Sequence, residues 1–354
     1  MVSFSSFSDL DWLGCGFSTR MGGVSKGCFS SMNMSFNRGD NPVDVMENIR
    51  IFAEAAGFSP KDIVMPHQCH TTNVQVVSRN ECGRGVRLSL LGKYKDESKE
   101  MQGSQCDAKD LLTREPGLLD IPGTEEEVDG QITNEPGVVL YVMGADCVPV
   151  FIVDTEKKIV SAVHAGWKGT VGDITKSAIE KMKSEFGCDT QNMRAVIGPS
   201  ICQDCYEVSE DVAEAFVRKY INNQENKLSQ FSKETVADSE PMSSKDAIGT
   251  SDMLQSIQHI SENPTCGNPI SSIVRPASGD FKDNPTGKFF LNLWEANRIN
   301  LVNAGIFPEN IEINGHCTKC HPDLFFSHRV HGDKRGVNVG YIFIKNQSEG
   351  RFSD

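Results

Sequence analysis

Three short apolar runs follow one another in residues 138–170, VVLYVMGADCVPVFIVDTEKKIVSAVHAGWKGT: 138–143, 148–153 and 159–163. Rich in β-branched residues and bounded by turn signals, such runs predict strands buried on both faces. The first two flank Ala145-Asp146-Cys147, and residues 154–158 turn the chain into the third, which delivers His164 into Ala165-Gly166-Trp167. Buried strands hold a thiol and an imidazole in fixed positions, as a metal site or a catalytic dyad requires. The same residues also suit a plain core, with Cys147 as a small apolar filler and His164 hydrogen-bonded inside it.

A chain of 354 residues buries a large core, as one big domain or two smaller ones. Its net charge of −13 lacks the basic footprint of a binder of nucleic acid or anionic membranes, although a local basic pocket for a phosphate is compatible with it. The opening MVSFSSFSDLDWLGC has neither the basic nor the long apolar region of a secretory signal. No run approaches the roughly 20 apolar residues of a membrane span. Twelve cysteines without such a signal read as reduced thiols of a cytoplasmic protein, a few of them ligands or reactive groups.

In residues 17–40, glycines at 22, 23, 27 and 39 permit positive φ and close backbone approach. Arg20, beside this turn, is either an anion contact or a solvated hairpin residue. Asn41-Pro42 opens a helix predicted over 42–56, with Val45, Ile49, Phe52 and Ala56 on one face and Gly57 behind it. Residues 63–78 read as strand, polar break and strand. His67 and His70 point to opposite sides of an extended chain, so at most one faces a site. Further helices are predicted over about 168–186, from Ser209 to about Tyr220, and over 289–302. Further strands are predicted at 194–197, 311–313 and 337–344. Residues 84–124, with a charged run at 93–100, and 224–285, with one apolar-periodic patch near 253–260, read as irregular insertions.

Taken in order, the chain carries Thr19-Arg20-x-Gly22-Gly23-Val24-Ser25, Gln68-x-His70, Asp129-Gly130, Ala145-Asp146-Cys147-x-Pro149 and His164-Ala165-Gly166-Trp167-x-Gly169-Thr170. Gly198-Pro199-Ser200-Ile201, Tyr206-Glu207-Val208 and Phe326-Ser327-x-Arg329 follow. This ordered set resembles the laccase-domain family, named historically for multicopper polyphenol oxidases and also described as zinc-dependent purine nucleoside phosphorylases. The resemblance implies a single α/β domain over 1–354, of layered mixed β-sheets covered by helices, with the two irregular insertions. It implies zinc held by His70, Cys147 and His164. It also implies phosphorolysis of adenosine, inosine, guanosine and methylthioadenosine, with adenosine deamination alongside. The implied partners are a purine nucleoside and phosphate.

A shell of two His and one Cys leaves a fourth position open for water or substrate, as catalytic zinc requires. Phosphorolysis also needs phosphate held against the ribose. Arg20 and Arg329 are the candidates, because a guanidinium fork matches phosphate oxygens. Asp146 is a candidate for orienting a metal ligand from behind. The alternative is a hydrolase with Cys147 as nucleophile and His164 as base, acting on an amide such as a peptidoglycan precursor, where His70 has no required part. Copper polyphenol oxidase chemistry needs about four coppers and paired His-x-His ligands, whereas the chain has eight His and no His-x-His. A binding or scaffold role for the acidic insertions finds no recognition motif in them. The Cys202-x-x-Cys205 and Cys317-x-x-Cys320 pairs are together a candidate for a second, structural zinc, but they stand far apart in sequence and read more readily as buried unbonded thiols. Haem attachment at Cys317-x-x-Cys320-His321 belongs to exported chains.

Overall fold

The computed structural model describes residues 1–87, 90, 126–221, 269–279 and 284–346. The chain divides into two compact units, Met1–Ile201 with Asn297–Asp354, and Cys202–Ala296. Its strands are β1 (Leu13–Phe17), β2 (Ile63–Val64), β3 (Val74–Val76), β4 (Gly130–Thr133), β5 (Val139–Gly144), β6 (Val148–Asp154), β7 (Ile159–Ala165), β8 (Met193–Ile197), β9 (Glu207–Ser209), β10 (Val274–Pro276), β11 (Lys288–Leu291), β12 (Ile311–Ile313) and β13 (Asn338–Ile344).

The first unit is mixed α/β, with a four-stranded sheet β1-β13-β5-β2 and a six-stranded sheet β12-β8-β6-β7-β4-β3. Side chains alternate across a strand, and the two faces of β5 and β13 accordingly serve two cores. Leu140, Val142, Ile342 and Ile344 join Phe151 and Val153 of β6 and Val160 and Ala162 of β7 between the sheets. Val139, Tyr141, Tyr341 and Phe343 turn the other way and meet Val45, Met46, Ile49 and Phe52 of helix α1 (Pro42–Ala56). The predicted α1 signals are all used: Asn41 accepts from the Val43 N–H, Pro42 occupies the first turn, and Gly57 closes the helix at φ 80°.

The helix predicted over 168–186 is instead two, α2 (Trp167–Val171) and α3 (Ile174–Phe186), broken where Asp173 adopts φ 62°. Gly172 closes α2 just before it, and a side chain at Gly172 would meet Thr72 Cγ2 at 2.6 Å. The segment before β3 therefore approaches the α2–α3 junction closely. α3 then lies against β7, β4 and β3.

In the second unit β10, β11 and β9 form an antiparallel sheet, and a helix spans 210–221. The helix predicted over 289–302 starts later, at Leu293, because 288–291 pairs as β11 and the Asn292 side chain accepts from the Glu295 N–H at 3.1 Å. Regular structure also enters the stretch read as the second insertion, as a short helix Pro269–Ile273 and β10. The apolar patch near 253–260, the charged run at 93–100 and most of both insertions lie outside the described residues.

Asn338, fully buried at the start of β13, ties the end of β5 to the segment that follows residue 325. Its Nδ2 donates to Phe326 O at 2.8 Å and Gly144 O at 3.1 Å, and its Oδ1 accepts from Phe326 N–H at 2.9 Å. Asn338→Ala leaves three backbone groups without that partner. It is expected to lower stability by about 3 kcal/mol or more, read as a reduced urea midpoint with unchanged slope.

Candidate metal centre

Strand register gathers the predicted residues at one end of the six-stranded sheet. β6 and β7 pair antiparallel with Pro149 opposite His164 and Val148 opposite Ala165, which sets Cys147, one residue before β6, beside the end of β7. β4 pairs with β7 so that Gly130 faces Val163, and the His164 N–H donates to Asp129 O at 2.7 Å. β3 runs parallel to β4 with Val74 beside Gly130, so the polar segment before β3 arrives at the same place. Gln68 clamps that segment to β5, donating to Met143 O at 2.8 Å and accepting from Met143 N–H at 2.7 Å.

The donor atoms of His70, Cys147 and His164 lie within 4.8 Å of one another. Cys147 Sγ is 3.7 Å from His70 Nε2, and the two imidazole rings stand edge to face at 4.9 Å. Gly166 makes room for them, because a Cβ there would meet His70 Cδ2 at 2.7 Å and Cys147 Sγ at 3.3 Å. His70 itself holds φ 63°, a left-handed conformation uncommon for a residue with a Cβ. His67 lines the same cavity, with its Nε2 3.5 Å from Cys69 Sγ.

The residue that organises this group is Asp129, noted in the sequence only as part of Asp129-Gly130 and given no role there. It is 1% exposed. Its Oδ1 faces His164 Nδ1 at 2.7 Å and accepts from His70 N–H at 3.0 Å. Its Oδ2 accepts from Cys69 N–H, Thr71 N–H and the Thr71 hydroxyl at 3.1, 2.7 and 2.9 Å. Burial would raise its pKa, but the His164 hydrogen bond and the Thr71 N–H hold it at about 2. Burial would likewise raise the Cys147 thiol, yet the charge and hydrogen bond of His164, then of His70, bring it down to about 6. The His164 imidazole is pushed up to about 9: burial opposes the shift, and Cys147 and Asp129 outweigh it. The only sequence signal for Asp129 is an Asp-Gly step that ends an acidic run and opens a strand.

The other candidates sit elsewhere. Arg20 donates from Nε and Nη2 to Ser30 O at 2.9 and 2.7 Å and from Nη1 to Pro322 O at 2.7 Å, and its guanidinium lies over the Phe326 ring at 4.6 Å. It braces the turn and is not among the residues lining the cavity over the three donors. Asp146, at φ 95°, accepts from the Thr318 hydroxyl at 2.6 Å and from Arg329 N–H at 2.8 Å, so its carboxylate anchors the β5–β6 turn. Arg329 enters that contact through its backbone. The reading of both Cys pairs as buried thiols fits Cys317 alone, because Cys320 is exposed and Cys202 and Cys205 are partly so.

The cavity over the donors measures about 600 Å³. Phe36, Met65 and Met143 supply apolar wall, and Arg38, Arg87 and Arg335 supply charge. None of the three arginines was singled out in the sequence, where they stand in polar segments without a motif.

Residues 14–247 and 269–345 match the family model described as multi-copper polyphenol oxidoreductase laccase. Among curated proteins the chain is 30% identical over 328 residues to adenosine deaminase RL5 from an unknown prokaryotic organism, covering 92% of this chain and 91% of that one. It is 29% identical over 344 residues to a purine nucleoside phosphorylase from Bacteroides thetaiotaomicron, covering 97% and 96%. Of solved structures, YlmD from Geobacillus stearothermophilus superposes with a TM-score of 0.65 at 25% identity, over 97% of this chain and 94% of that one. The multi-copper polyphenol oxidoreductase laccase family is thus the one to which this chain belongs.

Proposed function

We propose that the protein is a zinc-dependent purine nucleoside phosphorylase with adenosine deaminase activity, acting in the cytoplasm on adenosine, inosine, guanosine or methylthioadenosine with phosphate. The observation that carries this reading is the convergence of His70, Cys147 and His164 in one cavity, pinned by Asp129, in a chain whose full-length relatives are named for these two activities. No helix among the described residues is long and apolar enough to cross a membrane.

The residues fit the ion. With Zn–N near 2.0 Å and Zn–S near 2.3 Å, a sulfur and a nitrogen of a tetrahedral site stand about 3.5 Å apart, against 3.7 Å between Cys147 Sγ and His70 Nε2. Asp129 occupies Nδ1 of His164, which leaves Nε2 as the ligand atom. His70, Cys147 and His164 would hold zinc with a fourth position open to the cavity. Bound there, the ion supplies Lewis acidity and a lower pKa for water. The chain's own part is to keep the His164 proton on Nδ1, to enclose an apolar base against Phe36, Met65 and Met143, and to offer guanidinium charge to an anion.

One observation favours a second reading. Asp129, His164 and Cys147 also line up as orienter, base and low-pKa thiol, the set used by cysteine hydrolases. His70 separates the two, since zinc requires it and a dyad does not.

His70→Asn keeps a side chain that tolerates a left-handed backbone but removes an imidazole ligand. It is expected to leave the fold intact by circular dichroism while abolishing zinc content and both nucleoside reactions. A variant that stays fully active without metal selects the hydrolase. Phosphate-dependent release of base by the wild type supports the phosphorylase; ammonia release alone, indifferent to phosphate, leaves only the deaminase.

Asp129→Asn sets an amide NH₂ among the donors that the carboxylate now accepts from. Zinc affinity, measured against a competing chelator, is expected to fall about 10- to 100-fold. Unchanged affinity would show that His164 needs no such partner.

A further inference from the structure

The described residues lining the cavity include Arg38, Arg87 and Arg335 and no aspartate or glutamate, in a chain of net charge −13. Focusing one sign of charge in a low-dielectric cleft, against the charge of the whole, is the mark of an anion site. Arg335 is the unusual member. It is 6% exposed, and its Nε and Nη1 have no hydrogen-bond partner among the described residues. Buried guanidinium donors are normally satisfied. The carboxylate that could have served, Asp146, is engaged by the Thr318 hydroxyl and Arg329 N–H. Burial, followed by the charge of Arg38, depresses the Arg335 pKa against the opposing charges of Asp146, Cys147 and Asp333, so Arg38 stands close enough for two like charges to repel. That repulsion is relieved by an anion between them. Arg87, stacked at 4.8 Å on the Phe36 ring, adds a third positive charge to the wall.

We propose that Arg335, assisted by Arg38, forms the subsite that takes the phosphate co-substrate, in the same cavity as His70, Cys147 and His164. Arg335 lines the cavity with guanidinium donors to spare for phosphate oxygens, and a neighbouring cation compensates the second charge of a dianion. The assignment rests on the phosphorylase reading for its role in turnover, but phosphate binding can be measured without turnover.

The test uses the zinc-loaded full chain and inorganic phosphate. Calorimetric titration of phosphate and the phosphate KM for base release are compared in wild type, Arg335→Gln and Arg38→Gln. Zinc content serves as the control for folding. In Arg335→Gln, phosphate affinity is expected to fall about 10- to 100-fold, the loss typical of hydrogen bonds to a charged group. The phosphate KM rises in parallel and the nucleoside KM holds. Wild-type phosphate affinity in zinc-replete Arg335→Gln overturns the assignment, as does a rise confined to the nucleoside KM. If Arg335→Gln does not fold, the exposed Arg38→Gln decides: a phosphate affinity several-fold weaker supports the subsite, and an unchanged one sinks it. Failure of the phosphorylase reading looks different, because wild type would then bind phosphate in the calorimeter without phosphate-dependent base release.

Discussion

A buried carboxylate fixes the geometry on which everything else at this site depends. Asp129 stands one residue before β4, and its two oxygens meet five groups from β7 and from the segment before β3. A desolvated carboxylate without partners would cost several kcal/mol; this one is saturated. The hydrogen bonds also do directed work. Three successive N–H groups, of Cys69, His70 and Thr71, converge on it, and such convergence is what holds His70 at positive φ. A left-handed residue with a Cβ costs on the order of 1 kcal/mol and persists where its surroundings over-determine it. The Gln68 clamp and the Asp129 contacts supply that over-determination, and the result is an imidazole aimed at Cys147.

How much of this was legible in the sequence follows from what each element depends on. β5, β6 and β7 announce themselves because a strand buried on both faces needs an unbroken apolar run, and helix α1 because its cap, its proline and its terminal glycine are all local signals. Cys147 and His164 could be placed near each other once those strands were recognised. The break between α2 and α3 was missed, because a lone glycine such as Gly172 is tolerated inside a helical pattern and nothing local announces that Asp173 adopts φ 62°. β11 was hidden for a similar reason, since Phe289 to Leu291 suits either a helix face or a strand until partners are known. Asp129 could not be given a role, because its five partners come from β7 and from the segment before β3, and nothing in the Asp-Gly step announces them.

The two chemistries that the site permits are separated by coordination rather than by the reactive atoms. A cysteine nucleophile and a zinc-bound cysteine both want a thiolate, and both profit from an imidazole oriented by a carboxylate. Only a third donor distinguishes them. His70 contributes little that a dyad would use, yet the fold spends a strained backbone position and a network of hydrogen bonds on presenting it. Structural effort directed at a residue is evidence for the reading in which that residue has a task.

The arginines make a parallel argument from hydrogen bonding. By residue type alone, Arg20 beside a glycine-rich turn is as good an anion contact as any. Its donors, however, are taken by backbone carbonyls of Ser30 and Pro322, which makes it a brace within the folded chain. Arg335 has the opposite condition: enclosed, beside another cation, with donors that no described residue accepts from. An unsatisfied buried donor destabilises the free protein, and an acceptor arriving in the cavity would relieve that cost. Sequence reports which arginines exist; only the hydrogen-bond inventory of the fold tells a spent guanidinium from an available one.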